Sequence, residues 1–213
     1  MQNGLIVKNL LKKIKMSEKF SVVISYPSWS KCIETFKKYL YENTTNKFEL
    51  VEMVDYNDVY RAFNEGVKKA KHELVICICD DMFVSKGWDE SYLLYADGET
   101  ILTGHLIESG IIPVSAKNIE FNCGDTPQNF DYHKFENFIS QIENNYYSIA
   151  HNQKGWYMPI LFYKSKFIEY PNEIKFPHPN DVTLIDDILP KEGFRFAQVK
   201  SFVYHLQVAS SRL

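Results

Sequence analysis

The segment from residue 20 to residue 79 reads as strand, helix, strand, helix, strand, and this alternation restricts the possible folds more than any other feature of the chain. FSVVISY, residues 20 to 26, is a β-branched run that ends in the turn formers Pro27, Ser28 and Ser30. Ser30 is placed to cap a helix in which Ile33, Phe36 and Leu40 recur at helical spacing. FELVEMV, residues 48 to 54, makes a second strand, with a turn at Asp55, Tyr56 and Asn57. Val59, Ala62, Phe63, Gly66, Val67 and Ala70 then draw one helical stripe, and Lys68, Lys69 and Lys71 stand at the end where the helix dipole favours cations. LVICIC, residues 74 to 79, is apolar on both faces, as a central parallel strand covered by helices must be, and it stops at Asp80 and Asp81. Right-handed crossovers between such strands build an α/β sheet that binds ligands beyond its C-terminal strand ends.

Beyond Trp88 the pattern is less regular. Phe135, Phe138, Ile139 and Ile142 mark a helix that Asp131 can cap, residues 158 to 163 read as a strand, and Val182, Ile185 and Leu189 as a short helix. Residues 194 to 206 read as one or two closing strands, while residues 99 to 130 show no firm pattern. The expected organisation is one domain over residues 20–213, preceded by a basic extension of residues 1–19. A chain of 213 residues buries enough apolar surface to fold without disulfides or metal, so a metal inferred here serves chemistry.

Lys and Arg number 24 against 27 Asp and Glu, a net charge of −3, which argues against a nucleic-acid surface built on phosphate neutralisation. The extension carries Lys8, Lys12, Lys13, Lys15 and Lys19 among Leu5, Ile6, Leu10, Leu11 and Ile14. It reads either as a basic amphipathic helix for an anionic membrane surface or as a loose terminal segment. No apolar run reaches the ~18 residues of a membrane span and no signal-peptide pattern is present, so a cytoplasmic location is expected, with membrane association through the extension left open. The four cysteines include no CxxC pair and read as buried thiols.

Two adjacent carboxylates at the end of a buried strand repel one another unless a cation or hydrogen-bond donors offset them. A divalent Mg²⁺ or Mn²⁺ is commonly held by one or two protein carboxylates and completes its shell with phosphate oxygens. The alternative for Asp80 and Asp81 is a solvated turn or a helix cap; an acid pair alone is weak evidence for a cation, and its place at the end of the third strand strengthens it.

With these pieces in order, the chain resembles a glycosyltransferase of the GT-A fold, similar to family 2. The resemblance covers most of residues 20 to 206 and is carried by FSVVISY, by FELVEMVD with its terminal acid, and above all by AFNEGVKKAKHELVICICDDMFVSKGW. That last stretch is similar to the family's run of A-x-N-x-G, basic helix end, apolar strand, acidic metal motif and Trp. PNDVTLIDDILPKEGFRFAQVKSFVYHL resembles its acidic helix start, Gly-aromatic step and terminal Tyr-His. The resemblance implies a single α/β domain with a mixed, mostly parallel sheet. It implies inverting transfer of a sugar from a nucleotide-diphosphate donor to a glycan or other hydroxyl acceptor, assisted by Mn²⁺ or Mg²⁺. By the same resemblance Ser25, Tyr26, Asp55, Asn64 and Asp80 seat the nucleotide sugar, Asp81 and His205 hold the metal, Asp181 is the catalytic base, and Trp156 faces the acceptor.

Each residue has a plainer reading as well. Asp181 ahead of Val182 is also a helix N-cap, His205 in an apolar segment is also a structural histidine, and Trp88 and Trp156 are also core tryptophans. The chain departs from the family in its first loop, which runs Ser25, Tyr26, Pro27, Ser28, in the Cys79 that opens its metal motif, and in Asn180 beside Asp181. Two other readings share the architecture: a non-catalytic nucleotide or sugar binding module, and a nucleotidyltransferase, against which the absence of glycine from SYPSWSK argues.

Overall fold

Strand β1 (Phe20–Tyr26) lies between β2 (Phe48–Val54) and β3 (Leu74–Cys79) and runs parallel to both. The computed structural model describes residues 20–153, 155, 158–171 and 180–207, so the extension of residues 1–19 and Trp156 lie outside the described residues. Helix α1 (Ile33–Asn43) connects β1 to β2, and α2 (Val59–Lys69) connects β2 to β3, as the alternation requires. The expected stripe of α2 faces inward, with Ala62, Phe63, Gly66 and Val67 all buried. Asp58 caps this helix by accepting from the Tyr60 amide at 2.8 Å.

The sheet continues through β8 (Ile160–Tyr163), β5 (Thr100–Glu108), β9 (Arg195–His205) and β4 (Met82–Val84), in the order β2-β1-β3-β8-β5-β9-β4. Two short strands sit off this path, β6 (Ile119–Glu120) beside β5 and β7 (Ile149–His151) beside β9. The sheet is mixed, and its longest ladders, β1 with β2 and β5 with β9, are parallel. Helix α3 (Trp88–Tyr95) packs on β9, and α4 (Tyr132–Ile142) begins at Asp131, whose side chain accepts from the Lys134 amide at 2.9 Å. Asn180–Val182, the π-wound Thr183–Ile188 and Leu189–Lys191 run on as α5. Among the described residues no helix is long and apolar enough to cross a membrane.

Three expectations need correction. The strand expected from residue 158 begins at Ile160, after Pro159, which has no amide hydrogen for a ladder. Residues 194 to 206 form one strand, Arg195–His205. Within the unreadable residues 99 to 130 lies β5, buried along its whole length in the middle of the sheet. Its Thr103, Gly104 and His105 break the apolar run that would have announced it.

Strand direction decides where function can sit. Strand β8 is antiparallel to both β3 and β5, and β9 is parallel to β5, so β1, β2, β3, β5 and β9 all point the same way. Their last residues, Tyr26, Val54, Cys79, Glu108 and His205, therefore share one rim. Strand β4 is antiparallel to β9 and starts at that rim, with Met82 opposite His205. The short Asp80–Asp81 link is thus pinned between the two halves of the sheet.

Candidate active site

Asp80 and Asp81 are only 5% and 9% exposed, and they serve different neighbours. The Asp80 carboxylate accepts a hydrogen bond from the Ser30 hydroxyl, which ties it to the loop after β1. Asp81 faces the other half of the sheet: its Oδ2 lies 3.6 Å from Nε2 of His205, and its backbone carbonyl accepts from the Leu206 amide at 3.0 Å. An acid that ends the third strand and a histidine that ends the last one meet because β4 pairs with β9.

The orientation of His205 is set from behind by Glu108, a residue that the sequence did not single out. Its Oε1 lies 2.8 Å from Nδ1 of His205, and its Oε2 accepts from the Asn118 side-chain amide at 2.8 Å. An ionised carboxylate only accepts, so Nδ1 carries the proton and Nε2 is the nitrogen turned to Asp81. Burial alone would lower the pKa of His205, but the Asp81 and Glu108 carboxylates overrule it and raise it to about 9. Glu108 is held below the ordinary carboxylate range although burial pushes the other way, because His205 and Asn118 hydrogen-bond it. The only sequence signal for Glu108 is a charged residue closing an apolar stretch, as Asp80 does after LVICIC.

This donor set fits a hard divalent cation. One carboxylate and one imidazole, the imidazole backed by a second carboxylate, is a common arrangement around such an ion. Among the described residues no group of three or more His, Cys, Asp and Glu side chains is arranged to hold a metal ion. So small a set of protein ligands suits a cation whose remaining positions go to phosphate oxygens and water.

On the β1 side of the rim, Ser25 is buried and Asp55 is exposed. Asp55 has a φ of 59°, a left-handed conformation that an aspartate tolerates, and it folds back on the first loop. Its Oδ1 accepts from the Ser28 amide at 2.6 Å, and its own amide donates to the Tyr26 carbonyl at 3.1 Å. The Tyr26 hydroxyl is engaged with Glu52, to which Lys37 also pairs at 2.6 Å. The expected cap of α1 is partly realised: Cys32 is the formal N-cap, while the Ser30 hydroxyl accepts from the Cys32 amide at 3.1 Å and gives its proton to Asp80. This loop, pinned at Ser28 and Ser30, holds the indole of Trp29 in solvent at 59% exposure.

Asp181, on the first turn of α5, is near enough to Cys79 for its charge to act on that thiol. The Cys79 thiol is pushed up by burial and, after that, by the charges of Asp81, Asp80 and Asp181 together. Burial also raises the pKa of Asp181, against hydrogen bonds from the Val182 amide and the Tyr60 hydroxyl. Its carboxylate accepts from the Val182 amide at 2.8 Å from within the helix, whose first described residue is Asn180.

Two of the sequence candidates pack in the core. Asn64 is 2% exposed, and both ends of its amide are used on the backbone of Tyr170: Nδ2 donates to the carbonyl at 2.9 Å and Oδ1 accepts from the amide at 2.8 Å. It braces the core through both of these bonds. Trp88 is buried against Phe20 and Tyr92 and donates from Nε1 to the Thr44 hydroxyl at 3.0 Å, which makes it a core residue. The Gly155 amide donates to the Thr103 hydroxyl at 2.9 Å.

No protein-family model matches the chain, and no curated protein matches it in sequence. In structure the chain is similar to GalNAc-T7, solved with UDP, GalNAc and Mn²⁺, with a TM-score of 0.58 and 13% identity, over 90% of this chain and 44% of that one. It is also similar to A197 from STIV, with a TM-score of 0.47 and 10% identity, over 88% of this chain and 85% of that one. The chain therefore spans less than half the length of GalNAc-T7. The first likeness establishes the fold, a single GT-A-type α/β domain.

Proposed function

We propose that this chain is an inverting, metal-dependent glycosyltransferase, similar to family 2, which moves a sugar from a nucleotide-diphosphate donor to an acceptor hydroxyl. The observation that carries this reading is the 3.6 Å approach of His205 Nε2 to Asp81 Oδ2 at the strand-end rim. The likeness to GalNAc-T7, solved with UDP, GalNAc and Mn²⁺, supports it at the level of fold.

Asp81 and His205 would hold Mn²⁺ or Mg²⁺, which would supply Lewis-acid stabilisation of the leaving diphosphate when bound. The chain's own residues do the rest. Asp80, fixed by Ser30, and Asp55, fixed by Ser28, border the donor together with Ser25 and Tyr26. Asp181 accepts the acceptor hydroxyl's proton while the acceptor oxygen bonds to the anomeric carbon and the bond from that carbon to the diphosphate oxygen breaks. A carboxylate raised by burial suits this step, since it is ionised at rest and yet basic enough to take the proton. Trp156 remains the proposed acceptor-side aromatic.

The test is release of nucleotide diphosphate from a panel of nucleotide sugars, with and without Mn²⁺, for the wild type and Asp81→Ala. Metal-dependent release that the variant loses supports the transferase. Nucleotide binding without release supports a binding module and overturns it.

A further inference from the structure

Gln207 is 6% exposed and has a φ of 51°, a left-handed conformation that glutamine seldom adopts. Strand β9 has ended at His205, and the Leu206 amide has turned to the Asp81 carbonyl at 3.0 Å. The Gln207 side chain reaches the loop that leaves β5, and its primary amide is used at both ends. Its Oε1 accepts from the Ser109 hydroxyl at 3.1 Å, from the Gly110 amide at 3.1 Å and from the Ile112 amide at 3.4 Å, while Nε2 donates to the Ile112 carbonyl at 3.0 Å. The loop turns sharply to make these groups converge: Gly110 has a φ of 82°, and an added Cβ there would lie 2.7 Å from Oε1 of Glu120. A glutamine in the left-handed region carries strain, and such strain persists where the surroundings over-determine it and clusters at functional sites.

These bonds supply a rung that the sheet lacks. The last β5 to β9 register pair is Glu108 opposite His205, whose side chains meet at 2.8 Å. A terminal pair has a neighbouring rung on one side only, and the ends of elements are where a fold opens first. The side-chain amide of Gln207 stands in for the missing peptide group, because it offers one acceptor and a donor as a backbone unit does. From the far end of the same loop, Asn118 donates to Oε2 of Glu108 at 2.8 Å and the Phe121 amide donates to the Glu108 carbonyl at 2.9 Å. We propose that Gln207 is a positioning residue for the pair Glu108 and His205: by latching residues 109–112 to the end of β9 it keeps Glu108 on Nδ1 of the imidazole, and so keeps Nε2 turned to Asp81. Such support from outside the ligand set holds a metal-facing side chain in its productive orientation. For its consequence on metal binding, this inference rests on the transferase reading.

Gln207→Met keeps the length of the side chain and removes all four bonds, and Ser109→Ala removes one of them and is the milder variant. The full chain without added metal is followed by ¹⁵N-edited NMR for the ring proton on Nδ1 of His205, and Mn²⁺ affinity is measured separately by calorimetry. In the wild type this proton, held by Glu108, is expected as a sharp downfield signal protected from exchange with water. In Gln207→Met it is expected to broaden and exchange faster, with Mn²⁺ affinity weaker by about tenfold. Ser109→Ala is expected to show the same changes at smaller size. Gly66→Ala, whose strain lies where α2 rests on β1, is the control for a general loss of stability and is expected to leave Mn²⁺ affinity within about twofold and the ring proton unmoved. A ring proton unmoved in both Gln207→Met and Ser109→Ala overturns the proposal, whatever the affinity does, and so do equal changes in Gly66→Ala. A wild type that does not bind Mn²⁺ overturns the metal assignment of the transferase reading instead, and the ring proton still decides whether Gln207 holds the pair.

Discussion

Glu108 and His205 end two neighbouring parallel strands as register partners, and their side chains meet Oε1 to Nδ1 at 2.8 Å. The contact arises directly from the sheet order, since β5 and β9 run side by side and stop at the same level. It leaves the ring one useful nitrogen, directed at Asp81, and places the imidazole between two carboxylates.

Glu108→Gln removes the charge and keeps the shape. The glutamine still accepts from Nδ1 through its oxygen, but its amide can turn and present a donor instead, so the ring loses its enforced tautomer. Mn²⁺ affinity, measured by calorimetry on the folded protein, is expected to weaken about 10- to 100-fold. Unchanged affinity with a normal fold means that Glu108 does not orient the metal-facing nitrogen.

Ser30→Ala tests the coupling of the first loop to Asp80. The hydroxyl both accepts from Cys32 and donates to a carboxylate that is 5% exposed, so its removal strips a donor from a buried charge. Hydrogen bonds to charged groups are worth about 1.5–3 kcal/mol, and a loss in that range is expected in urea unfolding at neutral pH. A loss well below that range means that Asp80 does not depend on the Ser30 hydroxyl.

The first three strands and both crossover helices are legible in the sequence because LVICIC, FSVVISY and the stripe from Val59 to Ala70 each obey one clean period. Asp81 is legible as half of an acid pair at a strand end, but His205 only through resemblance, since nothing in local pattern says that Met82 pairs opposite His205. Glu108 is hidden for the same reason that β5 is: a strand buried on both faces loses its alternation, and Thr103, Gly104 and His105 interrupt what is left. Asn64 is more instructive. A-x-N-x-G reads as a donor-binding motif, yet the structure shows a packing demand at two of its positions, an amide that clamps Tyr170 and a glycine that lets α2 touch β1.

His105 gives the fold a pH dependence. It is buried in β5 against Phe202, stacked at 5.2 Å, and Tyr146 at 4.5 Å, and burial lowers its pKa to about 4. The unfolded chain takes up this proton near pH 6.5 while the folded one resists until about 4, so its stabilising contribution is present above 6.5 and lost as pH falls through that window. The shift corresponds to about 3 kcal/mol. Urea unfolding between pH 7 and pH 4 is expected to show a loss of this order, flattened in His105→Phe; an equal slope in the variant assigns the acid sensitivity elsewhere.

Gly66→Ala sets two known effects against each other. Alanine in a helix interior is favoured over glycine by about 1 kcal/mol. At this position, however, an added Cβ would lie 2.2 Å from Cγ1 of Val23 and 3.2 Å from Cγ of Met53. Val23 is fully buried in the middle of β1, and a β-branched side chain there has little rotamer freedom with which to yield. Overpacking of this kind costs about 1–3 kcal/mol, so the clash is expected to outweigh propensity and leave a net loss of about 1–2 kcal/mol in urea unfolding. Val23→Ala in the same chain opens the needed space, and the double variant should be less destabilised than the sum of the two single ones. Strict additivity would mean that α2 does not rest on β1 through this glycine.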